Sequence, residues 1–268
     1  MKSREEIVNM ERIVVKVGTS SLSFPNGKTN YTRLERLAMV LSDLLSDGKE
    51  VILVSSGAVG VGAGRLKMYE PPTGLVARQA LAAVGQAELI RIYQKFFDEY
   101  NQMVAQVLLT RDGLEDETRK MNARNTINEL LRMKIIPVIN ENDTVSTAEI
   151  QFGDNDNLSA KVAILMEADL LIILSDVNGL YSGDPHTDPS AQRISVVKQS
   201  DQTIDQYIND STSAFGTGGM ATKIQAVRLC MSHGIDACIV NGDDPINVFR
   251  IMCGKDVGTL FLSKEVEQ

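Results

Sequence analysis

The chain has 268 residues, 43% hydrophobic and 23% charged, which is enough for a substantial core. Its formal charge of −8 excludes a general nucleic-acid surface, which needs clustered Lys and Arg, but leaves room for a small phosphorylated ligand held by a few local donors. Two histidines (His186, His233) and three cysteines without CxxC spacing (Cys230, Cys238, Cys253) exclude an HExxH or clustered Cys/His zinc site, so the cysteines read as small buried hydrophobes. The polar N-terminus lacks a signal-peptide core and no run approaches a membrane span, so a cytoplasmic protein is expected.

Apolar runs alternate with helical patterns along the chain. Strands are predicted at 12–17 (RIVVKV), 50–55 (EVILVS), 103–109 (MVAQVLL), 134–140 (KIIPVIN), 169–175 (DLLIILS) and 236–241 (DACIVN). Their near-continuous, β-branched hydrophobicity suits a parallel sheet covered on both faces. Between them, Leu34, Leu37, Leu41, Leu44 and Leu45 recur at helical spacing before Gly48, and 76–100, 119–133 and 157–167 also suit helices. The alternation predicts an open α/β sandwich, in which ligands sit beyond the carboxyl ends of the strands. The residues following each strand are therefore the candidate site.

Lys16 lies in the first strand, followed by Gly18, Thr19, Ser20 and Ser21. A lysine in an apolar strand either points to an anion at the strand's end or marks an edge strand. Further on, Gly27-Lys28-Thr29 imitates the tail of a Walker A loop, but Leu22 stands where the loop's first glycine belongs. A solvated turn is expected there. After the second strand, SSGAVGVGAG carries Gly57, Gly60, Gly62 and Gly64, whose spacing is not GxGxxG. It reads as a Ser-Ser-Gly turn opening an anion-holding helix, or as close packing alone.

The fourth strand runs into INEND, with Asn140, Glu141, Asn142 and Asp143, and after TVSTAEIQF comes GDNDN, with Asp154, Asn155, Asp156 and Asn157. The intervening piece is expected to form a hairpin that folds one knot onto the other. Asp154 or Asn155 suffices to cap the next helix, so eight polar residues suggest instead a patch that binds a cation or ammonium group, or holds lysines in place. Ser175-Asp176 ends the fifth strand and is placed to meet a nucleotide or simply to make a turn. In FGTGGMATK, Thr217, Gly218 and Gly219 precede a helix with Thr222 and Lys223 in its first turn and Ile224, Val227 and Met231 as its apolar stripe. That is the composition of an anion nest.

Seven stretches in order, VVKVGTSSL, SSGAVGVG, LAAVGQ, LLTRDGLEDETRKMNARNTI, PVINENDTVSTAEIQFGDNDNLSA, SDVNGLYSGDP and FGTGGMATKIQAV, resemble the amino acid kinase family, and within it the glutamate 5-kinase branch. The resemblance runs from about residue 11 to 258–261, and the INEND and GDNDN pair separates this branch from others of the same fold. It implies a three-layer α/β sandwich with a largely parallel central sheet, the carbamate kinase-like fold. It implies one domain over 1–268, glutamate-binding mainly in its N-terminal part and ATP-binding mainly from about residue 170. The implied reaction is ATP-dependent phosphorylation of the γ-carboxylate of L-glutamate, the first step of proline biosynthesis, with Mg²⁺ bridging the ATP phosphates and proline as feedback inhibitor.

By matching positions, the resemblance implies that Lys16 and Lys223 stabilise the phosphoryl group while Asp156 positions them. Ser56, Asp143 and Asn155 would contact glutamate. Lys16, Ser175, Asp176, Thr217, Gly218, Gly219, Met220, Ala221, Thr222 and Lys223 would bind ATP. Many relatives have Thr where Ser175 stands, a change that keeps the hydroxyl. Many bacterial relatives continue into a PUA domain, which is not expected in a chain ending at Gln268. A homo-oligomer is also implied, and a glutamyl phosphate reductase is a plausible partner.

Overall fold

The structure, a computed structural model, describes residues 3–24, 28–68, 73–145, 155–183, 188, 190–198 and 219–263. Among these, eight strands are present: β1 Arg12–Val17, β2 Glu50–Ser55, β3 Val104–Leu109, β4 Ile136–Glu141, β5 Leu170–Ser175, β6 Val196–Lys198, β7 Asp236–Asn241 and β8 Thr259–Leu262. The described helices are α1 Thr19–Leu22, α2 Tyr31–Ser46, α3 Ala58–Arg65, α4 Leu75–Asp98, α5 Arg111–Glu115, α6 Glu117–Arg132, α7 Asn155–Leu165, α8 Gly219–Ser232 and α9 Ile246–Met252, preceded by a 3₁₀ helix at Arg4–Asn9. All six expected strands are present within two residues of their predicted limits; β6 and β8 are additional.

The strands form one sheet in the order β3-β4-β2-β1-β5-β7-β8-β6. The first six run parallel, and β8 joins β7 antiparallel. Lys16 therefore sits on a central strand between Val54 and Ile173, which removes the edge-strand reading. The sheet carries core on both faces. Ile13, Val15 and Val17 pack with leucines of α2 and with Leu89, Tyr93 and Phe97 of α4. Val14 packs on the opposite face with Leu158 and Val162 of α7 and with Ile224 and Val227 of α8. Each such side chain, taken fully out of water, contributes about 1.5–3 kcal/mol.

This alternation aims the site residues. Side chains two apart on a strand share a face, so Lys16 follows Val14 toward α7 and α8, and Ser175 shares the side of Leu171 and Ile173. Asn140 follows Val138 toward α4. Cys230 and Cys238 are buried as expected, and burial pushes both thiols up to about 12. Cys253 corrects that expectation, because it is exposed just past the C-terminus of α9.

Candidate active site

The carboxyl ends of β1, β2, β4, β5 and β7 open on one edge of the sheet, with β1 at its centre. The buried Lys16 extends from β1 to the first turn of α7, where its Nζ lies 2.7 Å from Asp156 Oδ1. Lys223, in the first turns of α8, approaches the other oxygen of the same carboxylate, Nζ to Oδ2 at 3.5 Å. Thr222 Oγ1 donates to Asp156 Oδ2 at 2.8 Å, and Lys223 Nζ also donates to the Gly219 carbonyl at 2.8 Å. Two ammonium groups from sequence positions 207 residues apart (223 − 16) thus share one buried carboxylate.

That carboxylate is held ionised by competition. Burial pushes the Asp156 carboxyl up, but the charges of Lys16 and Lys223 and the hydrogen bonds from Lys16 and Thr222 outweigh it. Its pKa falls below the ordinary carboxylate value. A buried charge is tolerable when paired and hydrogen-bonded in this way. The two lysines lie close enough to meet a single multiply charged anion, and the N-terminus of α8 adds its dipole.

A second cluster lies on the β2–β4 side. Gly57 takes a left-handed φ of +96° after β2, turning the chain sharply into α3 and leaving Ser56 at the strand's end. Asn155 Nδ2 donates to Ser56 Oγ at 2.9 Å, Asn140 Oδ1 at 3.1 Å and the Ser55 carbonyl at 3.2 Å. Asn140 Nδ2 in turn donates to Gln86 Oε1 on α4 at 2.7 Å. Ser55 Oγ meets the buried Tyr93 hydroxyl at 2.8 Å, and burial raises that phenol's pKa. Asp143 is part-buried in the turn after β4.

The third group flanks β5 and β7. Ser175 Oγ donates to Asp176 Oδ1 at 3.0 Å, and Asn241 Nδ2 donates to the Asp176 carbonyl at 3.3 Å. Asp176 itself is exposed at the mouth of the edge. Gly219, Met220, Ala221, Thr222 and Lys223 form the start of α8.

Of the residues singled out in the sequence, the structure gathers Lys16, Asp156 and Lys223 into one network, and Ser56 and Asn155 into another joined to it through α7. Thr217, Gly218 and Asp154 lie outside the described residues, as do Pro25, Asn26 and Gly27 ahead of Lys28-Thr29 and most of the expected hairpin. The SSGAVGVGAG stretch shows close packing: a Cβ on Gly62 would run into the Leu81 carbonyl of α4. The two ends of the Asn155 amide are not equivalent. Its Nδ2 is committed to three protein acceptors, while no described residue donates to its Oδ1. Its carbonyl is the end left for a ligand, and that end suits a cation. Gln86 was not among the expected site residues, although it ends the quoted LAAVGQ stretch. Only its position after an apolar, glycine-containing helical run hinted at burial.

The amino acid kinase family profile matches residues 11–241. The glutamate 5-kinase of Clostridium perfringens is 48% identical over 98% of this chain and 100% of its own length. That of Listeria innocua is 50% identical over 98% of this chain and 97% of its own. Among solved structures, the UMP kinase of Ureaplasma parvum matches with a TM-score of 0.65 at 16% identity, covering 98% of this chain and 100% of that one. The UMP kinase of Bacillus anthracis matches with a TM-score of 0.63 at 19% identity, covering 96% and 97%. These two share the fold. By sequence profile, curated relatives and architecture, this chain belongs to the amino acid kinase family, in its glutamate 5-kinase branch.

Proposed function

We propose that the protein transfers the γ-phosphoryl group of ATP to the γ-carboxylate of L-glutamate, forming L-glutamyl 5-phosphate in the cytoplasm as the first step of proline biosynthesis. The observation that carries this reading is the Lys16–Asp156–Lys223 network beside the Ser56–Asn155 cluster. One site is built for a transferring anion and its neighbour for a small polar acceptor.

In the reaction a glutamate γ-carboxylate oxygen bonds to the γ-phosphorus, the bond from that phosphorus to the β,γ-bridging oxygen breaks, and ADP leaves with the electron pair. No general base is required, because the carboxylate is already ionised near neutral pH. Catalysis consists of positioning and of neutralising charge between two anions. Lys16 and Lys223 supply donors to the migrating group, and Asp156 holds both amines in register. Ser175, Asp176 and the 217–223 segment bind the nucleotide. Asp156 is already neutralised by two lysines, so the residues here fit a Mg²⁺ carried on the ATP phosphates rather than on a protein carboxylate. When bound, that ion adds positive charge to the phosphates.

On the acceptor side, Asp143 and the Asn155 carbonyl receive the α-ammonium group, and the Ser56 hydroxyl donates to a carboxylate. Acetylglutamate, with a blocked amine, offers no ammonium group to those acceptors and is expected to be a poor substrate. Proline carries the same ammonium and α-carboxylate and competes for the same pocket. The test is to incubate the purified protein with ATP, Mg²⁺, hydroxylamine and either glutamate, aspartate or acetylglutamate. Hydroxamate forms with glutamate and far more slowly with the other two. ATP consumption without hydroxamate from glutamate would refute the assignment.

A further inference from the structure

We propose that Gln86 is a positioning residue of the acceptor site: through Asn140 it fixes which end of the Asn155 amide faces the substrate. The inference rests on the acceptor role given above to Ser56 and Asn155. Gln86, Asn140 and Asn155 form a ladder of three amides linked at 2.7 Å and 3.1 Å. The two ends of an amide are nearly the same shape, so the ladder's direction must be set by groups that can act in only one sense. Two such groups are present. The backbone N–H of Glu141 can only donate, and it donates to Asn140 Oδ1 at 2.9 Å. The Ser55 carbonyl can only accept, and it takes Asn155 Nδ2 at 3.2 Å. Together they force Asn140 to offer its Nδ2 to Gln86 and Gln86 to answer with Oε1.

The consequence for Gln86 is unfavourable on its own. The residue is 8% exposed, and its Nε2 is buried with no acceptor among the described residues. Burying an unsatisfied donor costs about 1–3 kcal/mol. An unbranched apolar side chain such as Met would fill the same position without that penalty. What Gln86 provides instead is the acceptor that ties down Asn140, and hence the Nδ2 end of Asn155 toward the protein and its Oδ1 end toward the pocket. The fold brings it there deliberately close: a Cβ on the adjacent Gly85 would run into the Ala58 carbonyl of α3, so only glycine lets α4 seat Gln86 against the end of β4. Gln86 shares the buried face of α4 with Leu89 and Tyr93, three and seven residues on.

The experiment is steady-state kinetics by hydroxamate trapping on the full chain. Gln86→Met is expected to raise KM for glutamate about tenfold, the equivalent of one lost hydrogen bond, with kcat and KM for ATP changed less than about threefold. In an Asn155→Ala background the same substitution is expected to leave KM for glutamate within about twofold, because its route of action is gone. A purely structural role would lower the melting temperature without separating the two KM values. Gln86→Glu keeps an acceptor for Asn140 and is expected to hold KM for glutamate within about threefold. If Gln86→Met does not fold, the glutamate variant decides, since a rise beyond about tenfold contradicts the acceptor role. Unchanged KM in Gln86→Met, with an active wild type, overturns this inference alone. A wild type that forms no hydroxamate from glutamate overturns the parent reading as well.

Discussion

Asp156 joins Lys16 to Lys223, and its behaviour follows from burial set against charge. Desolvation works against its ionised form, while Lys16, Lys223 and the hydrogen bonds from Lys16 and Thr222 favour it and prevail. A carboxylate with a depressed folded pKa contributes stability that is fully present above its unfolded value of about 3.9, and loses it as pH falls through the folded value. Asp156→Asn is therefore expected to destabilise the protein by about 3–5 kcal/mol at neutral pH, by stranding the buried Lys16 ammonium and the partly buried Lys223. Denaturant unfolding from pH 7 downward checks this: the gap between wild type and variant stays level to about pH 5 and narrows below about pH 4. A gap that widened on acidification would contradict the pairing. Lys16 and Lys223 were legible in the sequence because a lysine in an apolar strand, or beside a glycine pair at a helix start, calls for a partner. Gln86 was not, since a glutamine on a helix reads as solvent-facing until the opposite strand is known. The polarity of Asn155 was equally hidden, because it depends on a backbone N–H from β4 and a carbonyl from β2.

At the scale of elements, α3 and α4 flank the proposed acceptor side. Their backbones approach through Gly62 and Gly85, where an added Cβ would collide with the Leu81 and Ala58 carbonyls respectively. Backbone cannot yield as a flexible side chain does, so Gly85→Ala is expected to cost about 3 kcal/mol or more through overpacking. Thermal unfolding measures it, and a variant with wild-type melting temperature would show that the helices have room to separate. The long parallel strands were readable from their apolar continuity, and α2 from its leucine spacing. β6 and β8 were not, being three and four residues long. They depend on distant support: the Arg4 guanidinium donates to the carbonyls of Ser195, Lys255, Val257 and Gly258 around them. No local pattern announces a strand held that way.

Across the whole molecule, the strand order explains why the site forms where it does. Chain segments numbered near 16, 56, 140, 156, 175 and 223 are scattered in sequence, yet the parallel sheet delivers each to the same edge, with β1 between β2 and β4 on one side and β5 and β7 on the other. Alternation along β1 then turns Lys16 toward the face where α7 and α8 lie. The general location was therefore predictable from strand–helix alternation, whereas the sharing of Asp156 by two lysines required the packing of α7 against α8. The most direct measurement is the turnover of Lys16→Ala, Lys223→Ala and the double variant with ATP and glutamate. If both amines act on one migrating phosphoryl group, each single variant loses about a hundredfold or more in kcat, and the double variant falls short of the product of the two losses. Near-wild-type kcat in either single variant, or losses that multiply independently, would contradict a shared phosphoryl site.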